Sequence, residues 1–175
     1  MTRVTLKLAK GDWVVHNNHG LGQIIGIEMK EKHGNQNLFY MIKTQELTYW
    51  LPATESSSER VRPIADAATF AQALKVVAGA PEPMDANYRQ RLAHIHTRVQ
   101  DCSLLVKAAL IRDIHARNVQ KDIHINEKSL LELLTQQFIR EWVVACKIDD
   151  SEARAELREA LKASSVHLKP KKSPF

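Results

Sequence analysis

Lys10-Gly11-Asp12-Trp13-Val14-Val15-His16-Asn17-Asn18-His19-Gly20-Leu21-Gly22-Gln23-Ile24-Ile25-Gly26-Ile27-Glu28 is the stretch whose reading decides the N-terminal architecture. It reads as two short strands joined by a turn. Val14 and Val15 make the first apolar run. Asn17-Asn18-His19-Gly20 is turn chemistry, because Asn and Gly adopt positive φ at little cost. Gly22 and Gly26 flank the Ile24-Ile25 pair of the second strand. A glycine inside a strand marks a bulge, a bend or a close backbone approach. A small, strongly curved barrel needs such positions.

Working outward, the strand pattern continues. Val4, Leu6 and Leu8 alternate with polar neighbours and predict a strand leading into the stretch. Residues 29–37 read as a polar hairpin tip. Leu38-Phe39-Tyr40-Met41-Ile42 is a strand by its aromatic and branched content. Thr44-Gln45-Glu46 turns the chain, and Leu47-Thr48-Tyr49-Trp50-Leu51 is a further strand stopped by Pro52. Residues 54–59 form a polar loop, and a short extended piece runs from Val61 to Pro63. Several short strands so close together fit a small SH3-like or Tudor-like barrel.

From Asp66 the period changes. Phe70, Ala73, Leu74 and Val77 share one helical face, with Asp66 as N-cap and Gly79 as C-terminal stop. Ala80-Pro81-Glu82-Pro83 reads as a linker. Four more helices follow, with Asp85, Ser103, Asn126 and Ser151 as expected caps. Short connections and one-sided apolar faces predict a bundle. The expected fold class is therefore α+β, an N-terminal barrel over residues 1–63 followed by an all-helical bundle over 85–164. Residues 64–84 serve as connecting helix and linker, and 165–175 as a basic, disordered tail carrying Lys169, Lys171 and Lys172.

Composition narrows the function. The chain has 175 residues, 44% of them hydrophobic, enough for one or two small cores. No run approaches the roughly 18–20 apolar residues of a membrane span, and no signal-peptide pattern opens the chain, so a soluble cytoplasmic protein is expected. Two cysteines, Cys102 and Cys146, are too few for a disulfide framework and read as buried thiols. A net charge of +5 mildly favours an acidic partner such as nucleic acid.

The signature Gly11-Asp12-x-Val14-Val15, the turn ending His19-Gly20, and Gly22-x-Ile24-x-x-Ile27-Glu28 together resemble the start of the CarD family of bacterial transcription regulators. The same module occurs as the polymerase-interaction domain of the transcription-repair coupling factor. In the second half, Asn87-Tyr88-Arg89-Gln90-Arg91 stands where relatives carry a Trp followed by basic residues. Ile111-Arg112-Asp113-Ile114 resembles the family's Val-Arg-Asp-Leu, and Asn126-Glu127-Lys128 resembles the Glu-Lys pair opening its long helix. The resemblance covers nearly the whole chain. It implies a barrel that binds the RNA polymerase β subunit and a helical domain on promoter DNA at the upstream edge of the melted bubble. There an aromatic side chain wedges into the minor groove without reading sequence, and the open complex is stabilised. It also implies a nucleoid-associated monomer.

Two departures bear on the sites. The wedge position holds Tyr88, with less stacking area than Trp. A basic residue of the polymerase-facing strand is replaced by Trp50. Carried onto this chain, the DNA contacts expected are Tyr88, Arg89, Arg91 and Arg98, the arginines holding phosphates. The alternative reading is a Tyr packed on the linker and arginines on a solvated surface. The polymerase contacts expected are Lys30, Thr48, Tyr49 and Trp50, on a strand edge able to pair with a partner strand. Period two puts Tyr49 and Leu51 on one face and Thr48 and Trp50 on the other, so one of the two aromatics is core. Trp142, among Phe138, Ile139 and Val143, is core.

Catalysis is not expected. His16 and His19 could chelate, but structural zinc takes four ligands and neither cysteine is near in sequence, so no metal and no cofactor are assigned. No nucleophilic triad, phosphate-binding glycine loop or carboxylate pair stands out. Two functions remain: a polymerase-binding transcription regulator that acts on promoter DNA, or a protein-interaction adaptor that uses the same barrel without binding DNA.

Overall fold

The fold comes from a computed structural model that describes residues 8–32, 34–55 and 60–168. The strand predicted before Leu8, most of the polar loop at 56–59 and the lysine-bearing tail lie outside the described residues. Two compact units emerge, residues 1–64 with 100–102, and residues 65–99 with 103–175.

The first unit is an antiparallel sheet of β1 (Trp13–His16), β2 (Gly20–Lys32), β3 (Asn35–Lys43), β4 (Thr48–Pro52) and β5 (Val61–Pro63), in the order β4-β3-β2-β1-β5. The Asn17–Gly20 turn forms as its residues predict, with Gly20 at φ 68°. The polar tip is shorter than expected. β2 continues to Lys32 and β3 starts at Asn35, because Gly34 at φ 78° lets the chain reverse in a tight turn. The sheet curls enough that the Tyr49 ring on β4 lies against His19, tilted by 42° with centroids 4.5 Å apart, and meets His16 edge-on at 5.8 Å. Val14, Ile24, Tyr40, Ile42, Leu51 and Val61 fill its interior.

Both strand glycines have a physical reason. A β-bulge shifts the β2–β3 register between Ile24 and Gly26. At Gly22 an added Cβ would lie 2.5 Å from Ile42 Cγ2 and 3.3 Å from the Lys43 carbonyl, so only glycine lets β3 pass this close.

The second unit comprises α1 (Ala67–Ala78), α2 (Tyr88–Val99), α3 (Leu104–Gln120), α4 (Ile125–Cys146) and α5 (Asp150–Ser165). Helix α1, read from sequence as a connector, supplies Phe70, Ala73 and Val77 to the helical core. Phe70 stacks on Trp142 at 5.7 Å and meets Phe138 edge-on at 5.5 Å, which puts Trp142 in the core as expected. Asp66 caps α1 by accepting from the Thr69 amide at 2.8 Å, also as expected.

Gly79 ends α1 as expected, in an extended conformation, φ −70°, as the chain runs on toward Pro81. The caps of the other helices differ from the reading. Asn87, not Asp85, caps α2, accepting from the Arg89 amide at 2.9 Å. His124, not Asn126, opens α4, and α5 starts at Asp150 behind Asp149 rather than after Ser151. Lys147, at φ 54°, ends α4 in the left-handed conformation where glycine is the usual residue. No disulfide joins Cys102 and Cys146. Among the described residues no helix is long and apolar enough to cross a membrane.

Candidate functional site

In the sheet unit, β4 is an edge strand that pairs only with β3 among the described residues. Its alternation separates the two faces. Leu51 is 3% exposed and Tyr49 half-buried beside it, whereas Thr48 and Trp50 point outward, Trp50 at 45% exposure. Tyr49 is therefore a correction to the expected polymerase-facing set. Its hydroxyl is buried with no hydrogen-bond partner among the described residues. Burial, helped by the neighbouring Cys102, pushes that phenol up to about 12. A group of this kind belongs to the interior.

The outward face is preorganised. The bulge in β2 sets Glu28 and Lys30 on the same side as Trp50. The Trp50 indole N–H donates to Glu28 Oε2 at 3.2 Å, Lys30 Nζ lies 3.7 Å from the ring centroid, and Lys30 pairs with Glu28 at 3.5 Å. A cation over an aromatic face is attractive. The indole is thus held in one orientation while its surface remains open. On the opposite face of the β2–β3 ribbon, Ile27, Met29 and Leu38 are exposed. An edge strand beside an oriented, exposed aromatic can accept an extended segment of another protein.

Among the described residues no group of three or more His, Cys, Asp or Glu side chains could hold an ion. His16 is buried, and its Nδ1 accepts the Asn18 amide at 3.1 Å, which keeps that nitrogen unprotonated and closes the turn. Burial, with His19 and Arg60 nearby, lowers its pKa to about 4.

In the helical unit the expected DNA contacts fall into two groups. Arg89 is exposed at the start of α2. Arg91 is not: it is 5% exposed and bonds Glu127, itself 1% exposed, through Nε at 2.6 Å and Nη2 at 3.2 Å. Its Nη1 also donates to the carbonyls of Asp85 and Ala86, at 2.6 and 3.1 Å. This corrects the expectation of a phosphate contact, because the guanidinium is buried and makes four hydrogen bonds inside the protein. Burial pushes the Glu127 carboxyl up, but the Arg91 hydrogen bond and charge, the His124 amide and Arg117 outweigh it and leave the pKa below its ordinary value. Arg98 is also engaged, 3.7 Å from the buried carboxylate of Asp113 with a side chain 27% exposed. Asp113 in turn accepts from Arg112 Nε at 2.7 Å and from the Glu82 amide at 2.9 Å.

Tyr88 is half-buried at the first position of α2. Its ring lies against the His124 imidazole, centroids 4.6 Å apart, with the Arg91 guanidinium carbon 5.7 Å from the ring centroid. Its oxygen accepts from Asn126 Nδ2 at 3.1 Å and lies 3.4 Å from His124 Nδ1. The first turn of α4 thus receives the tip of Tyr88 and, through Glu127, the head of Arg91. Sequence reading missed His124 and Asn126 as neighbours of Tyr88. Only the topology, which puts the start of α4 beside the start of α2, reveals this pair.

Comparison with known proteins accounts for both units. Residues 8–65 match the family model of the CarD-like/TRCF RID domain, and residues 72–158 that of the CarD C-terminal domain. "Putative transcription factor YdeB" of Bacillus subtilis (strain 168) is 22% identical over 147 residues, covering 83% of this chain and 96% of that protein. A sheet unit and a helical unit, matched in this order over most of the sequence, show that the chain belongs to the CarD family of transcription regulators.

Proposed function

We propose that this chain acts by binding rather than catalysis, joining the RNA polymerase β subunit to promoter DNA in the open complex. The sheet unit docks the polymerase along the free edge of β4, with Trp50 as anchor and Thr48 and Lys30 beside it. The helical unit contacts the upstream edge of the bubble, with Tyr88 as the aromatic wedge and Arg89 as a phosphate contact. Arg91 and Arg98 serve this site from inside, Arg91 fixing the start of α2 against α4 and Arg98 fixing its end against α3. A protein shifts the opening equilibrium only by its differential affinity for the two states. Tyr88 is the group for which that difference is largest, because an inserting aromatic meets unstacked bases only once the duplex yields.

The observation that carries the proposal is Trp50. An exposed indole fixed by Glu28 and Lys30 on an edge strand has no role in the sheet's own core, and oriented aromatics are the usual anchors of interfaces. The test uses the full chain with its cognate polymerase holoenzyme and a promoter fragment. Trp50→Ala should weaken polymerase binding about tenfold, an ordinary effect of truncating an anchor, without changing thermal stability. Tyr88→Ala should leave polymerase binding intact and shorten the open-complex lifetime. The adaptor reading draws support from Arg91 and Arg98 being engaged internally. It stands instead if Tyr88→Ala leaves the lifetime unchanged and the complex shows no added salt dependence.

A further inference from the structure

We infer that Tyr88 is latched: the first turn of α4 holds it in a docked position that competes with insertion into DNA, and His124 and Asn126 are the latch. This rests on the reading of Tyr88 as the wedge.

A wedging side chain enters the base stack tip first. In this protein the tip is occupied. Asn126 Nδ2 donates to the Tyr88 oxygen at 3.1 Å. His124 Nδ1 accepts the Asn126 backbone amide at 3.4 Å and also lies within hydrogen-bond distance, 3.4 Å, of the Tyr88 oxygen. The ring is engaged as well, by the imidazole 4.6 Å between centroids. These contacts cannot coexist with a ring between base pairs. Insertion therefore requires Tyr88 to leave α4, and the docked population lowers the apparent affinity for DNA by the fraction it occupies.

The latch is itself held rigidly. His124 and Glu127 cap α4 reciprocally, with Glu127 Oε2 accepting the His124 amide at 3.0 Å. The same Glu127 is fixed by the buried Arg91. The hydroxyl is the essential atom. A residue with no polar atom at that position would keep the ring contact and lose both hydrogen bonds, so tyrosine here provides a tethered wedge where an apolar aromatic would provide an untethered one.

The experiment measures open-complex lifetime with the full chain, its cognate polymerase holoenzyme and one promoter, for wild type, Tyr88→Phe, Asn126→Ala, their double variant and Tyr88→Ala. Thermal melting of each variant controls for folding. Tyr88→Phe should lengthen the lifetime about two- to tenfold, the range for one or two weak hydrogen bonds lost from the docked state. Asn126→Ala should lengthen it less, because His124 remains. The double variant should match Tyr88→Phe, since Asn126 acts only through the hydroxyl, whereas a merely structural role for Asn126 would add a second, independent change. A lifetime for Tyr88→Phe equal to or shorter than wild type overturns the latch while a shortened lifetime for Tyr88→Ala leaves the wedge standing. A wild-type lifetime for Tyr88→Ala overturns the wedge and the latch with it. Additive single variants overturn the part assigned to Asn126.

Discussion

Replacing Arg91 separates two physical roles. As a surface phosphate contact, Arg91→Ala would cost salt-dependent affinity for DNA and little stability. As the buried partner of Glu127, its loss strands a carboxylate that is 1% exposed. Breaking such a pair from one side costs about 3–5 kcal/mol, because the remaining charge keeps its desolvation penalty without its partner. Two backbone carbonyls, of Asp85 and Ala86, lose their donor in the same step. For a helical unit of this size 1 kcal/mol moves Tm by about 4–8 °C, so the melting transition should fall by roughly 12–40 °C. Glu127→Ala should fall comparably, since it leaves the guanidinium buried and also removes the acceptor of the His124 amide. A double replacement, Arg91→Met with Glu127→Leu, should recover part of the loss, because two apolar groups of similar volume carry no stranded charge. Circular dichroism at helical wavelengths follows the transition, and polymerase–promoter binding across a salt series follows affinity. The reasoning is refuted if Arg91→Ala melts within a few degrees of wild type while the salt slope of DNA binding drops by about one counterion.

Three further outcomes follow from the geometry. His16 has a folded pKa of about 4 against 6.5, so its stabilising neutral form is fully present above 6.5 and its contribution is lost as pH falls toward 4. With partial solvent access discounted, this amounts to about 1–2 kcal/mol between pH 7 and pH 5; denaturant titrations of wild type and His16→Gln should show the variant with the shallower pH slope. Gly22→Ala drives a methyl to within 2.5 Å of Ile42 Cγ2 and should destabilise the sheet unit by about 1–3 kcal/mol, read by tryptophan fluorescence in urea. Trp142→Ala removes the ring stacked on Phe70 and edge-on to Phe138 and should cost about 3–5 kcal/mol in the helical unit, read by circular dichroism.

Local chemistry carried much of this fold openly. Asn17–Gly20 announces its turn, Gly22 and Gly26 announce the tight crossing and the bulge, and Phe70-x-x-Ala73-Leu74-x-x-Val77 announces the buried face of α1. Period two likewise separated Tyr49 and Leu51 from Thr48 and Trp50, though it could not say which side was inner. What stayed hidden depends on contacts distant in sequence. Arg91 and Glu127 lie 36 residues apart, and no periodicity reveals that an arginine on α2 will be consumed by a carboxylate opening α4. The cap of α4 was missed because histidine is an uncommon capping residue, while the nearby Asn126 has the stronger prior. The turn of β2 into β3 was drawn too long because residues 29–37 are polar on a ribbon that has little core to cover.

The bulge at Ile24 and Gly26 has a consequence for chain length. In a strand, parity decides side: odd and even positions look opposite ways, and one supernumerary residue reverses every later assignment. Were the same residues paired as a regular strand with no bulge, Glu28 and Lys30 would share the orientation of Ile24, beneath the sheet, and Ile27 and Met29 would surface next to Trp50. Inserting one further residue beside Ile25 should therefore be worse than deleting Ile25, since the insertion exchanges the ribbon's two sides at once, whereas the deletion only brings Ile24 and Gly26 onto consecutive rungs opposite Ile42 and Met41. The tip at Gly34 escapes this constraint, because a change of length there lies beyond the last paired residues. Insertions accumulating around Gly34 and none between Ile24 and Lys30 are the pattern this parity imposes on descendants of the chain.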